Sequence, residues 1–236
     1  MADPGTLAAE TETAAVPAGT DERFAGYGVM GLPFESGHVL AMRRFPASSI
    51  GPAYTSVWHR DPGGRWVSWQ DQQDDQSCPR YFSGALSDSR RVDIEVGWPA
   101  DAILRVEIPD VALAWTAHLA ATPVTRILTA VGGAMPERAW RSRRVLAALG
   151  PVAGWALRAG RIGMVGTSPN GQAFVANPQR VWIIDEASAR LGDDDFGLPA
   201  PLDEQARLGD FFIPQRGIFA IGRAYFGTAS PDPRSR

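Results

Sequence analysis

The sequence predicts a mainly β fold, an antiparallel β-barrel with a helical insertion near residues 123–160. Short segments alternate bulky and polar residues, as half-buried strands do, and turn motifs rich in Pro and Gly separate them. From Thr122 the apolar spacing becomes helical, and strand-like segments resume after Gly160. About eight strands joined by tight turns favour a closed or nearly closed barrel, with a sandwich as the alternative.

The segment 54–71 predicts a β-hairpin. Its two halves alternate bulky and polar residues, and Asp61-Pro62-Gly63-Gly64 between them suits a type I turn with glycine in the left-handed position. The resulting register pairs Arg60 with Trp66 and divides the side chains between two faces. One face carries Val57, His59, Val67, Trp69 and Asp71, and the other carries Ser56, Trp58, Arg60, Trp66 and Gln70.

The remaining elements follow from the same patterns. Residues 91–98, 102–109 and 111–120 alternate and predict a three-stranded meander. Residues 123–134 and 136–149 each open with Pro and predict helices; Gly150 suits a C-cap, and Pro151 opens a further short helix. The later strands are expected at 161–167, 172–176 and 180–185, with a last apolar segment over 211–226 that closes the sheet.

Length and composition favour one domain. The chain has 236 residues, 44% of them apolar, and a net charge of −3. We expect a single domain over residues 21–227 and disordered tails over 1–20 and 228–236, where bulky residues are scarce. No apolar run reaches the ~20 residues of a transmembrane span, and the N-terminus lacks a secretory signal pattern, so we expect a cytoplasmic location. The mild acidity gives no reason to expect nucleic acid as a partner.

The composition also excludes several kinds of chemistry. All 23 basic residues are arginine, which a GC-rich bacterial genome explains, so a lysine Schiff base and a P-loop lysine are absent. One cysteine excludes an internal disulfide, and the three histidines lack metal-ligand spacing. We therefore predict no cofactor and no metal.

Gly64-Arg65-Trp66 resembles the G-x-W signature of lipocalin-like (calycin) barrels. The likeness covers three residues, and here the motif follows a hairpin turn rather than opening the first strand. The resemblance implies a lipocalin-like barrel whose apolar interior binds a hydrophobic or amphipathic small molecule. Related lipocalin-like enzymes hydrate or cyclise biosynthetic intermediates, which gives the alternative function: a cofactor-free acid/base enzyme of hydratase, isomerase or cyclase type acting on a hydrophobic intermediate.

Candidate site residues cluster around the hairpin. Aromatic and cationic side chains supply apolar walls with polar tips, and ordinary core packing is the competing explanation. The predicted ligand-binding residues are Tyr54, Trp58, Trp66, Trp69 and Arg80. For acid/base chemistry, His59 is the group that titrates near neutral pH, Asp71 orients it, and Tyr81 donates a proton.

The helical block has its own charge pattern. Arginines flank the polar-free run 145–157, which suits weak contact with anionic ligands or lipid headgroups. Packing of the apolar run on the barrel, with the arginines in water, is the competing explanation. The arginines concerned are Arg138, Arg141, Arg143 and Arg144.

Overall fold

The computed structural model describes residues 3–227 of the chain, and these residues form five helices and fourteen strands. The helices are α1 (Pro4–Thr11), α2 (Pro79–Phe82), α3 (Pro123–Ala134), α4 (Glu137–Trp140) and α5 (Arg143–Leu157). The strands are β1 (Glu22–Pro33), β2 (Val39–Ser48), β3 (Tyr54–Arg60), β4 (Trp66–Gln70), β5 (Asp88–Arg91), β6 (Glu95–Ala100), β7 (Ile103–Ile108), β8 (Leu113–Ala120), β9 (Val165–Thr167), β10 (Ala173–Leu191), β11 (Asp194–Asp195), β12 (Arg207–Leu208), β13 (Phe211–Phe212) and β14 (Ile218–Phe226).

One large sheet organises the fold, so the predicted mainly β class is confirmed. Its strands follow the order β5-β4-β3-β2-β1-β14-β10-β8-β7-β6, with β9 and β11 paired to β10, while β12 and β13 form a separate pair. Neighbours are antiparallel except β4 and β5. The last strand, β14, lies between β1 and β10, which agrees with the expectation that the C-terminal apolar segment completes the sheet.

The sheet curls, and its concave face is filled. Trp69 of β4 and Val106 of β7 come from near opposite ends of the strand order, yet they belong to one buried cluster with residues of the strands between them. Large side chains occupy the middle of this cluster, including Trp115, Trp182 and Phe219. Because these side chains pack against each other, the concave face is a solid core.

The predicted hairpin forms with the predicted register. Arg60 pairs with Trp66, and the Asp61 amide donates to the Arg65 carbonyl at 3.0 Å. Gly64 has φ of +90°, a left-handed conformation that favours glycine over residues with a Cβ. The two predicted faces therefore lie on opposite sides of the sheet.

The helical insertion near residues 123–160 is also confirmed. α3 begins at Pro123, and its first turn is capped by Thr122, whose hydroxyl accepts a hydrogen bond from the Thr125 amide. Two helix boundaries were wrong: the predicted helix over 136–149 is interrupted between α4 and α5, and α5 continues through Pro151, with Gly150 an interior residue and not a cap. A Cβ at Gly150 would lie 2.3 Å from the Ile162 carbonyl oxygen, so this glycine permits close approach of α5 to the following segment.

The prediction of a disordered tail over residues 1–20 was wrong for its first half. Asp3 caps α1, the Gly5 amide donates to the Asp101 carbonyl at 2.9 Å, and Leu7 joins the core of the concave face. Glu12 accepts hydrogen bonds from Tyr27 and Arg44, at 2.8 Å each. The segment has little bulk, but a single leucine and a few polar contacts hold it. Residues 228–236, the other predicted tail, lie outside the described residues.

We predict that α1 contributes measurably to stability. Leu7→Ala should lower the free energy of unfolding by about 2 kcal/mol, since it removes a buried leucine from the core. The control is Glu10→Ala, an exposed position of the same helix, which should change it by less than about 0.5 kcal/mol. Urea unfolding of the two variants measures the difference, and equal stabilities would show that α1 does not hold the core.

Candidate binding site

The convex face of the sheet carries the candidate site. Alternate residues of β2 and β3 point to this side, among them Arg43, Tyr54 and Trp58. Helix α2, the helical insertion and β13 cover them. Between the sheet and this cover lies a cavity of about 190 Å³.

The cavity walls are almost entirely apolar and come from both sides of the gap. The sheet and α2 contribute aromatic residues, and the insertion contributes aliphatic residues and one tryptophan. Val131 of α3 and Val152 of α5 border the cavity while being 50% and 58% exposed, so the cavity reaches the surface between these helices. The principal wall residues are Tyr54, Trp58, Tyr81, Phe82, Phe174, Phe226, Leu128, Trp140, Leu149, Ala153, Met164 and Phe211.

A few polar groups border this apolar space. Arg43 is buried, and the Tyr54 hydroxyl lies 3.8 Å from the Cys78 sulfur. Burial raises the pKa of both Tyr54 and Cys78, which keeps both groups neutral at neutral pH. Asn177 of β10 is 1% exposed, and neither atom of its amide has a hydrogen-bond partner within residues 3–227. Such an amide is a hydrogen-bonding group available to a polar atom of a ligand.

Tyr81 and Arg80 are joined by a carboxylate. The Tyr81 hydroxyl and the Arg80 guanidinium each donate to Glu22 at 2.6 Å, and Gln172 donates to the same carboxylate at 3.1 Å. Burial opposes ionisation of Glu22, but these hydrogen bonds prevail and lower its pKa. Burial and Glu22 together raise the pKa of Tyr81. The hydrogen bond to Glu22 therefore fixes the Tyr81 side chain as part of the cavity wall, and the ion pair with Glu22 holds Arg80 outside the cavity.

His59 lies on the concave face, in a buried histidine pair. Its Nε2 lies 2.8 Å from Nδ1 of His38, and His38 Nε2 lies 3.5 Å from the exposed Asp194 carboxylate. Trp69 and Phe196 stack on the two rings. Burial lowers the pKa of both histidines, and His38 lowers that of His59 further, to about 4.

The predicted catalytic residues are not brought together. His59 belongs to the concave side and Tyr81 to the convex side, and Asp71 uses its carboxylate to accept the Thr55 amide at 2.8 Å. Among the predicted ligand-binding residues, Tyr54 and Trp58 line the cavity, whereas Trp66 is buried beside it and Trp69 packs on the concave side. This cavity therefore lies on the opposite side of the sheet from His59 and Trp69.

The structure divides the arginines of the insertion into two groups. Arg141 donates to the Ala18 carbonyl at 2.6 Å, and Arg143 donates to the Phe174 carbonyl at 3.2 Å, so both hold the insertion in place. All four arginines are exposed, and the side chains of Arg138 and Arg144 make no such hydrogen bond within residues 3–227. Beside α5, a wider and more open cleft of about 1170 Å³ carries Arg158, Arg161 and Trp155, the last of which is 83% exposed. In residues 3–227 no helix is both long and apolar enough to cross a bilayer.

Comparison with known proteins adds a distant likeness. No protein-family model and no curated protein matches the chain. Among solved structures, acetoacetate decarboxylase from Legionella pneumophila subsp. pneumophila is similar, with a TM-score of 0.37 and 11% sequence identity over 90% of this chain and 88% of that one. At this similarity, the function of this chain has to be argued from its own residues.

We predict that the histidine pair stabilises the fold only when neutral. The pKa of His59 is about 4 in the folded state, against about 6.5 when unfolded, so stability is fully present above pH 6.5 and is lost as pH falls toward 4. The loss attributable to His59 is about 3 kcal/mol. Urea unfolding between pH 7.5 and 4 should show a flatter pH dependence for His59→Gln than for the unchanged protein.

The matched control is His118→Gln, which changes a half-buried histidine of β8. It should keep the steep loss of stability toward pH 4, because it leaves the pair of His38 and His59 intact. An identical dependence in His59→Gln would contradict the neutral, structural role of this pair.

Proposed function

We propose that the protein binds a hydrophobic or amphipathic small molecule in the cavity between the convex face of the sheet and the helical insertion. The observation that supports this most strongly is the cavity itself, about 190 Å³ with walls that are nearly all apolar. Protein interiors are normally packed to the density of organic crystals. Apolar cavities of about 150 Å³ stay dry and bind molecules such as benzene.

The arrangement of the walls suits binding rather than simple core packing. Aromatic rings from the sheet face aliphatic side chains from α3 and α5, so an apolar ligand would be covered on both sides. Half-exposed Val131 and Val152 give it a short route to solvent. The unpartnered amide of Asn177 supplies one point where a polar group of an amphipathic ligand is accepted.

This proposal keeps the ligand class that the lipocalin-like resemblance implied but moves the site. The resemblance placed the ligand inside the barrel, where this chain has a packed core. The acid/base alternative stays a prediction from the sequence. Its intended base, His59, is not among the cavity walls within the described residues. The cytoplasmic location and weak anionic contacts through Arg138, Arg141, Arg143 and Arg144 of the insertion also stay predictions.

We predict that affinity for n-alkanols rises with chain length until the cavity is filled. Burial of each added methylene contributes about 0.8 kcal/mol to binding, which is about a four-fold decrease in Kd. The gain in affinity should stop once the alkyl chain projects from the cavity into solvent. Competition with the neutral fluorescent probe N-phenyl-1-naphthylamine, from butanol to decanol, measures this series. Absence of probe binding, or no dependence on chain length, would contradict a ligand cavity.

A variant that fills the cavity should weaken binding. Ala153 on α5 is buried and borders the cavity, so Ala153→Phe should raise the Kd of octanol about ten-fold or more while the protein stays folded. The control is Ala130→Phe at an exposed position of α3 that does not border the cavity. Equal weakening by both substitutions would locate the binding elsewhere.

A further inference from the structure

Arg43 places a cation in the apolar cavity. It belongs to β2, opposite Ser56 of β3, and is only 7% exposed. Its guanidinium carbon lies 5.3 Å from the ring centre of Trp58 and 5.4 Å from that of Phe211. Both rings border the cavity, so the guanidinium is held between two aromatic walls by cation–π contacts.

The hydrogen bonds of Arg43 go to neutral acceptors. Nη1 donates to the carbonyls of Val29 and Met42, the latter at 2.8 Å, and Nη2 donates to the Met30 carbonyl at 3.4 Å. The strand register shifts between Val29 and Gly31, which is why β1 has carbonyls to offer here. A guanidinium has five N–H donors. These three bonds fix its position, and none of them neutralises its charge.

Within residues 3–227 the charge of Arg43 has no ionic partner. Burial lowers the pKa of Arg43 to about 10, so it is still a cation at neutral pH. The ionisable groups that act on it are Cys78 and Tyr54, both of which burial keeps protonated. No carboxylate forms an ion pair with Arg43 within residues 3–227. An unpaired charge in an apolar environment is destabilising, and an anion is the group that would relieve it.

The indole of Trp58 adds an unused hydrogen-bond donor beside Arg43, although the indoles of Trp98 and Trp115 also lack an acceptor within the described residues. Trp58 is 2% exposed and borders the cavity, and its Nε1 has no hydrogen-bond acceptor within the described residues. Buried indole N–H groups usually have an acceptor. A donor without an acceptor therefore lies on the ring that also holds the guanidinium.

We propose that the ligand is a hydrophobic monocarboxylate, with its carboxylate on Arg43 and its apolar body between the sheet and the helical insertion. This inference rests on the proposed function and specifies the substrate class of that cavity. The planar guanidinium matches the two oxygens of a carboxylate. A single negative charge matches the single buried cation, whereas the second charge of a phosphate monoester would be unpaired in the apolar space.

The first test compares ligands on the unchanged protein and needs no variant. Octanoate, octanol, octylamine and octyl phosphate share one chain and differ in the head group. Displacement of N-phenyl-1-naphthylamine at pH 7.5 should give octanoate a Kd about ten-fold or more below that of octanol, with octylamine weakest.

Octanol binding as tightly as octanoate would overturn the inference and leave the proposed function standing. Octyl phosphate binding more tightly than octanoate would overturn the assignment to a carboxylate. Failure of all four ligands and of the probe would overturn the proposed function, and this inference with it.

The second test removes the cation. Arg43→Met should abolish the preference for octanoate over octanol while octanol affinity stays within about three-fold, since the methionine keeps much of the apolar volume. The control is Arg44→Met, which removes the neighbouring arginine on the other side of β2, where it pairs with Glu12 at 2.8 Å. Arg44→Met should keep the preference. A preference that persists in Arg43→Met would overturn the proposal. If Arg43→Met loses its fold with the carbonyl contacts, the four-ligand comparison decides.

Discussion

The packing of the concave face decides where this protein has room for a ligand. A curled sheet brings the side chains of its distant strands together on the inside, and here those side chains include Trp69, Trp115 and Trp182. They fill the space that a hollow barrel would leave open. The convex face also carries apolar residues, and these need a cover. That need explains the helical insertion, α2 and the segment around β13, which together form the outer layer of the molecule.

The outer layer covers the sheet incompletely and leaves a cavity whose walls differ between the sheet side and the helix side. Helix α5 approaches the segment after it closely at Gly150, while a space of about 190 Å³ remains between the insertion and the sheet. The resulting space has aromatic walls on the sheet side and aliphatic walls on the helix side. The polar groups at this space include the buried arginine and an asparagine amide that has no hydrogen-bond partner within residues 3–227. Such a site favours ligands with a long apolar body and one or two polar groups.

Much of the fold could be predicted because it depends on local pattern. The alternation over residues 54–71 and the turn residues between the strands determine the hairpin, and Thr122-Pro123 marks the start of α3.

The site was harder to predict, because the alternation assigns side chains to two faces of the sheet without showing which face leaves space for a ligand. His59 and Trp69 formed a plausible pocket in sequence, yet they belong to the packed side. Helix α1 was missed because its contacts, such as that of Gly5 with Asp101, join residues far apart in the chain. Arg43 did carry a signal, an arginine on the same face as Val39 and Ala41, but only the cover above it shows that it is buried.

The location of the ligand is the central claim, and intermolecular nuclear Overhauser effects test it most directly. Carbon-13-labelled octanol bound to the protein should show contacts to the indole protons of Trp58, on the sheet, and of Trp140, on the insertion, since both residues border the cavity. Contacts to Trp69 or Trp115 instead would place the ligand on the concave side. That result would contradict the account, because it would require the core of the sheet to open.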